Sequence, residues 1–233
     1  MGRSIERLEA YLREHPDESD GNKRRLREVA YKRLYDALRN VELESGDPLP
    51  ELRLSKALGI SRTPVREALQ QLATDGLIQI IQGRAVTISA RSVQEVFDAL
   101  HVRELLEPEA LRLCATGISE ADIERLQQLT TIMEETARSA DRAAWSRADR
   151  EWHELISDAC PNKLLGELVL LARNRMYHKG SYEHVTEQYL IDGTEEHRQV
   201  VNAIIARDGD KAEQLMVEHL SQLKENILKR FVH

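Results

Sequence analysis

Residues 60–76 read ISRTPVREALQQLATDG, and this stretch decides the first part of the fold. Its apolar residues recur at the spacing i, i+3, i+4 and i+7, which places them on one face of a helix. Ser61 is suited to the N-cap, and Gly76 can end the helix in a left-handed conformation. The sequence therefore predicts one amphipathic helix, whose buried face holds Val65, Ala68, Leu69 and Leu72.

A shorter helix is predicted directly upstream, over residues 51–58, with Gly59 closing it. Because only a tight turn then separates the two helices, the pair predicts a helix-turn-helix. The second helix carries Arg62, Thr63 and Arg66 on its first turns, where such a helix meets base edges and phosphates in the major groove. The alternative is an ordinary surface helix with two exposed arginines, since short motifs often occur by chance.

The distribution of charge also bears on DNA binding. The chain of 233 residues has a net charge of −7, which by itself argues against a nucleic-acid partner. Between residues 24 and 90, however, eleven Lys and Arg stand against eight Asp and Glu, so the basic charge is local. The two cysteines are too few for a disulfide framework or a thiolate zinc site.

The segment before the helix-turn-helix divides into an arm and a helix. Residues 4–15 can form a short helix, but turn formers follow it, so we expect an N-terminal arm over residues 1–22. A helix is predicted from Lys23 to about Asn40, packed under the other two. The arm lacks an apolar signal core, and no apolar run approaches the roughly 20 residues needed to cross a bilayer. We therefore expect a cytoplasmic protein.

Two β-prone runs, LIQIIQ and AVTIS, flank Gly83 and Arg84. Glycine at this position predicts a β-hairpin. Three helices followed by a hairpin make a winged helix, and the hairpin tip is placed to reach a minor groove or a phosphate. A solvated turn is the alternative for the tip. The DNA-binding domain is therefore predicted over residues 23–90.

The run SRTPVREALQQLATDGLI, followed by QGRA, is similar to the N-terminal domain of the GntR family of bacterial transcription regulators. The resemblance implies a homodimer in which each winged helix reads half of a palindromic operator. It also implies DNA contacts by Arg62, Thr63, Arg66 and Gly83. Family members often carry another arginine in the preceding helix, and Arg53 is the nearest candidate in this chain.

Residues 91–233 show no strand pattern and an acidic balance. We expect an all-α bundle of about six helices here, so the whole chain is predicted to be mostly α. A bundle encloses a central space between facing helices, which is a usual place for a ligand or a metal. The helical periods occupy about 93–115, 119–138, 141–159, 163–179, 189–207 and 209–231.

Four polar residues in the bundle are of types that commonly bind metal ions. Asp149 and His153 are four residues apart and share one face of a helix, although such pairs more often only stabilise a helix surface. His197 and His219 lie on two further helices, at or beside inward faces. A lone inward histidine is usually a satisfied core residue. Convergence of all four would be costly without a divalent cation, but the sequence does not show that they converge.

The runs VRELLEPEA, ADREWHELI, EEHRQVVNAIIARDGDKA and VEHL resemble the C-terminal ligand domain, called FCD, of the FadR-type branch of the GntR family. Metal-binding members use one Asp and three His, so the resemblance implies ligation by Asp149, His153, His197 and His219. Three nitrogens and one oxygen suit zinc best, with nickel, iron or manganese as alternatives.

Charged residues beside this cluster are candidates for binding a small carboxylate effector. Arg103 and Glu107 lie on an otherwise apolar stripe, so Arg103 could bridge a bound acid, or the two could simply pair within their helix. Arg175 and Tyr177 are weaker candidates for the same pocket.

These features favour a DNA-binding regulator, in our prediction a repressor, that responds to a small organic acid bound near a metal ion. The alternative from another class is a metal-dependent hydrolase or lyase with a winged-helix appendage, which would use the cluster to activate water. In a third interpretation the bundle only dimerises and its metal is structural.

Overall fold

The computed structural model describes residues 3–16, 23–41, 43–81, 85–89, 92–176 and 186–231. The described chain forms two compact units, which divide between Val93 and Gln94. The first unit contains the helix-turn-helix and the hairpin, and the second is helical. This architecture confirms the predicted fold class.

The first unit is a winged helix preceded by one further helix. Its two strands pair antiparallel, with Ile78 opposite Ile88 and Ile81 opposite Ala85. The order of elements agrees with the sequence prediction, and residues 82–84, where the tip was predicted, lie outside the described residues. The elements are α1 (Arg3–Glu14), α2 (Lys23–Asn40), α3 (Glu51–Leu58), α4 (Arg62–Thr74), β1 (Ile78–Ile81) and β2 (Ala85–Ile88).

The turn between α3 and α4 depends on Gly59. Its φ is 70°, a left-handed conformation that glycine adopts without the steric penalty of a Cβ. Ser61 occupies the N-cap of α4 as predicted, but its hydroxyl makes no capping hydrogen bond. Burial of the apolar stripe therefore holds α4 in place. The four residues of that stripe, Val65, Ala68, Leu69 and Leu72, are all buried.

The N-terminal segment that we expected to be an arm contains α1, which packs into the core of this unit. Leu8 and Leu12 are fully buried together with Ile5. Glu9 accepts hydrogen bonds from the guanidinium of Arg53 on α3, at 2.6 Å and 2.9 Å. The segment is therefore a structural part of the unit, because it contributes both apolar contacts and an ion pair.

The second unit packs its helices around a core that includes both tryptophans of the chain. The close approach of two of these helices requires glycine at position 166, since a Cβ there would lie 2.2 Å from the carbonyl oxygen of Ser157. No helix in the described ranges is long and apolar enough to span a bilayer. The elements are α5 (Val93–Gly117), α6 (Glu120–Arg138), α7 (Arg142–Ala159), α8 (Lys163–Met176), α9 (Glu187–Ile205) and α10 (Gly209–Phe231).

The buried position of Leu8 gives the first prediction. Leu8→Ala should lower the free energy of unfolding of the first unit by about 2–5 kcal/mol, because it leaves a cavity between α1 and its neighbours. Native-state hydrogen exchange of the α2 and α4 amides measures this loss. Glu14→Ala, at an exposed position of the same helix, is the control. Equal exchange rates in the two variants would mean that α1 is a detachable arm after all.

Candidate metal centre and nucleic-acid interface

Helix α7 supplies two of the four candidate ligands. Asp149 and His153 lie one turn apart on its buried face, and they are 5% and 2% exposed. Asp141 caps the N-terminus of this helix, and its carboxylate accepts a hydrogen bond from the backbone N–H of Ala144 at 2.9 Å. This cap and the burial of Trp145 fix the rotation of α7, so that both polar side chains point inward.

Helices α9 and α10 bring His197 and His219 to the same place. One ring nitrogen from each of the three histidines lies within 4.8 Å of the others. Nε2 of His197 is 3.1 Å from Nε2 of His153 and 3.2 Å from Oδ1 of Asp149. The structure therefore brings together the four residues that the sequence marked as candidate ligands.

The second nitrogen of each imidazole contacts an oxygen that accepts hydrogen bonds. Nδ1 of His197 lies 2.6 Å from the carbonyl oxygen of Gly193. Nδ1 of His153 lies 3.3 Å from Glu107, and Nδ1 of His219 lies 2.7 Å from Glu196. A carbonyl or carboxylate oxygen only accepts, so in the neutral rings the proton is assigned to Nδ1, which leaves Nε2 with its lone pair. This is the outer arrangement found around metal-binding histidines.

The Nε2 lone pairs then face one another and the Asp149 carboxylate without a donor between them. Either protons or a cation must resolve this repulsion. Burial, followed by the nearby Arg173, lowers the pKa of His153 to about 4, so protonation of this ring at neutral pH is unfavourable. Two nitrogens bound to one zinc ion at about 2.0–2.1 Å lie roughly 3.3 Å apart, which is close to the spacing of His153 and His197. The donor set therefore fits a divalent metal.

Glu107 forms ion pairs with two arginines beside the four candidate ligands. It is 2% exposed and accepts hydrogen bonds from Arg103 at 2.8 Å and from Arg173 at 2.9 Å. Burial alone would raise the pKa of Glu107, but the two guanidinium groups outweigh it and hold the pKa well below its ordinary value. Glu107 was predicted to contact an effector. Its position behind His153 instead makes it a residue that orients a candidate ligand.

A cavity of about 380 Å³ opens beside the four candidate ligands. Arg103, a candidate effector contact, lines this cavity, and the same residue also forms the alternative pair with Glu107. Other side chains of the cavity wall come from α7, α8, α9 and α10. They are Trp145, Asp149, His153, Arg173, Gln188, Tyr189, Asp192, Glu196, His219, Gln222, Leu223, Asn226 and Lys229.

The prediction of Arg175 as a cavity residue is wrong, and Arg173 takes that role. Arg175 is exposed and does not line the cavity. The error came from placing Leu168 on the inward stripe of α8, whereas Leu168 is 41% exposed. The spacing from Gly166 and Val169 predicts Arg173 on the buried face. Tyr177, the other weak candidate, lies outside the described residues.

The recognition helix α4 presents the residues predicted to contact DNA. Arg62, Thr63 and Arg66 are exposed and line one shallow surface depression. Arg53, the further candidate on α3, is only partly exposed, and its guanidinium is bound by Glu9 on α1. Sequence reasoning also missed Glu51, whose carboxylate contacts Arg66. Gly83 and Arg84 lie outside the described residues.

A winged helix places the second helix of its helix-turn-helix where it can enter the major groove of DNA, and in this chain it is followed by an all-helical unit that carries the His and Asp cluster. Comparison with family models agrees. Residues 26–88 match the model for bacterial regulatory proteins of the gntR family, and residues 98–222 match the FCD domain. FCD domains are known to bind metal.

Individual relatives cover most of the chain. It is similar to the HTH-type transcriptional regulator LutR of Bacillus subtilis, with 30% identity over 214 residues, 81% of this chain and 94% of that protein. It is also similar to the HTH-type transcriptional repressor RspR of Escherichia coli, with 27% identity over 184 residues, 78% of this chain and 80% of that protein.

A solved structure, E. coli McbR/YncC, shares the fold with a TM-score of 0.74 and 20% sequence identity, covering 91% of this chain and all of that one. The chain therefore belongs to the GntR family of bacterial regulatory proteins, with an FCD domain at its C-terminal side. These relatives are described as transcription regulators and not as enzymes, in agreement with the predicted class of protein.

The contact of Glu196 with His219 gives the second prediction. Glu196→Gln should weaken the affinity for added zinc about 10- to 100-fold, because the amide no longer holds the Nδ1 proton as a carboxylate does. Competition with a coloured chelator measures the affinity. Glu195→Gln removes the same charge at the exposed neighbouring position and should bind zinc as the unaltered protein does. If Glu196→Gln also bound zinc normally, His219 would not be a ligand oriented in this way.

Proposed function

We propose that this DNA-binding regulator acts as a homodimeric repressor, whose affinity for a palindromic operator is controlled by a small organic acid bound beside a metal ion. The observation that carries the proposal is the convergence of three histidines, with Asp149 in contact with two of them. Asp149, His153 and His219 lie on the wall of a cavity that two arginines also line. The name of the relative RspR supports repression, since it is described as a repressor.

Zinc is the metal that the donor set suits best, with nickel, iron and manganese as alternatives. In this proposal Asp149, His153, His197 and His219 hold the ion. The ion would supply a positive charge to which the carboxylate of an acid could bind. Glu107 and Glu196 keep His153 and His219 in the tautomer that binds metal, as their contacts with Nδ1 indicate.

The balance of buried charge supports an acidic effector. Arg103 and Arg173 carry two positive charges, which Glu107 and Asp149 already neutralise. A divalent ion adds two more positive charges, and Glu196 offsets only one of them. An anion in the cavity would remove the excess, because an uncompensated buried charge is costly. Arg103 is the residue proposed to bind the carboxylate of the effector.

Control of DNA binding would then be a population shift. An acid that binds one conformation more tightly shifts the equilibrium toward that conformation, by the difference between its two binding free energies. If the two conformations also differ in operator affinity, the acid changes that affinity by a coupling free energy. We propose Arg62, Thr63 and Arg66 as the base and phosphate contacts, with Gly83 and Arg84 at the wing. The proposed location is the cytoplasm, where such a regulator meets both DNA and metabolites.

Arg66 gives the test of the DNA interface. Arg66→Ala should weaken binding to an operator selected from random DNA by about 1–3 kcal/mol if the guanidinium reads a base. Arg175→Ala, which removes an exposed arginine of the second unit, should leave operator binding unchanged. Fluorescence anisotropy of labelled operator measures both. Equal affinities for Arg66→Ala and the unaltered protein would remove Arg66 from the interface.

Arg103 gives the test of the effector site. Metal-loaded protein should bind small organic acids, and binding should change its fluorescence, since both tryptophans lie against the candidate ligands. Arg103→Gln should weaken this binding by about 1.5–3 kcal/mol, the range for a hydrogen bond to a charged group. Arg175→Gln, which removes an exposed arginine of the same unit, should leave it unchanged. Acid binding that survives Arg103→Gln would place the carboxylate elsewhere.

A further inference from the structure

Glu51, at the start of α3, holds the guanidinium of Arg66. Its carboxylate accepts hydrogen bonds from Nε of Arg66 at 3.1 Å and from Nη2 at 2.9 Å. Arg62 approaches the same carboxylate, with Nη2 at 3.7 Å. The side chain of Glu51 is 23% exposed, whereas those of Arg62 and Arg66 are more than half exposed. One partly buried carboxylate therefore lies under both arginines of the recognition face.

An acidic group at this position is unfavourable for the general attraction between protein and DNA. Binding of phosphates by cations supplies most of the sequence-independent affinity, and a carboxylate beside two arginines reduces the local positive potential. As an exposed ion pair it also contributes little to stability. The position of Glu51 is better explained by its hydrogen bonds, which fix the guanidinium of Arg66.

The hydrogen bonds of Glu51 occupy only one edge of the Arg66 guanidinium. They use Nε and Nη2, so the edge formed by Nη1 and Nη2 points away from the carboxylate and still offers two parallel N–H groups. The O6 and N7 atoms of guanine can accept hydrogen bonds from two such parallel N–H groups. Because the guanidinium is already fixed, less side-chain freedom is lost when it meets a base.

We propose that Glu51 is a specificity-determining residue, which orients Arg66 for base reading and weakens its attraction to phosphates of any sequence. The inference rests on the proposed contact of Arg66 with operator DNA. Glu51 itself touches no base and acts through Arg66. Loss of its charge should therefore raise affinity for random DNA and lower the preference for the operator.

The test compares Glu51→Gln with Glu67→Gln. Glu67 lies on the exposed face of α4, beside Arg62 and Arg66, so its variant removes the same charge from the same surface. The probes are a short duplex of random sequence and an operator selected from random DNA with the unaltered protein. Affinity for both is measured over a range of salt concentrations, and thermal unfolding confirms that each variant is folded.

Glu51→Gln should lower the ratio of operator to random affinity about three- to tenfold, and it should steepen the salt dependence on random DNA by about one ion. Glu67→Gln should leave the ratio unchanged. In an Arg66→Ala background, Glu51→Gln should have no further effect on the ratio.

Two results would overturn the inference. One is an equal change of the ratio of operator to random affinity in the Glu51 and Glu67 variants. Glu51 would then act only through its negative charge and would not orient Arg66. The other is an effect of Glu51→Gln that persists in the Arg66→Ala background. If Arg66→Ala weakens operator binding while Glu51→Gln changes nothing, this inference alone fails. If Arg66→Ala also changes nothing, the proposed DNA interface fails with it.

Discussion

Three buried groups and the partly buried His219 repel one another unless a cation lies between them, and the candidate metal centre depends on this constraint. The Nδ1 atoms of three imidazoles lie against oxygens of Gly193, Glu107 and Glu196, so in the neutral rings the Nε2 lone pairs face the other candidate ligands. The hydrogen bond that Nδ1 makes therefore determines whether Nε2 of the same ring can bind a metal ion. The helices that carry these residues are packed by apolar burial, and the polar cluster is what that packing brings together.

Carboxylates hold arginines in both units of the protein. Glu107 lies between Arg103 and Arg173 beside the candidate metal centre. In the first unit, Glu9 binds Arg53 and Glu51 binds Arg66. A guanidinium held by a carboxylate keeps its charge but loses much of its freedom to move, which makes it a directional donor. The pairing of a carboxylate with an arginine thus docks one helix onto another at Glu9 and Arg53. In our proposal it also prepares Arg103 to bind an organic acid and Arg66 to read a DNA base.

Much of this arrangement follows from sequence periodicity. The stripe of α4, its turn at Gly59 and the helical runs of the second unit are repeated signals, and the structure confirms the fold that they predict. The candidate ligands were found because Asp149 and His153 share a helix face and resemble a known pattern. The rest depends on the rotation of single helices and on contacts distant in sequence. Arg175 was predicted from its register with Leu168, which is exposed, so the sequence placed the wrong arginine of α8 at the cavity. The docking of α1 is a further case, because its partner Arg53 lies far along the chain.

X-ray absorption at the metal edge, on protein purified from its own host and kept away from chelators, tests the central claim most directly. The account predicts one divalent ion per chain, with the scattering pattern of three imidazole rings and additional oxygen ligands. An ion surrounded only by oxygen, or a protein with no bound metal that regains none when zinc is added, would contradict it.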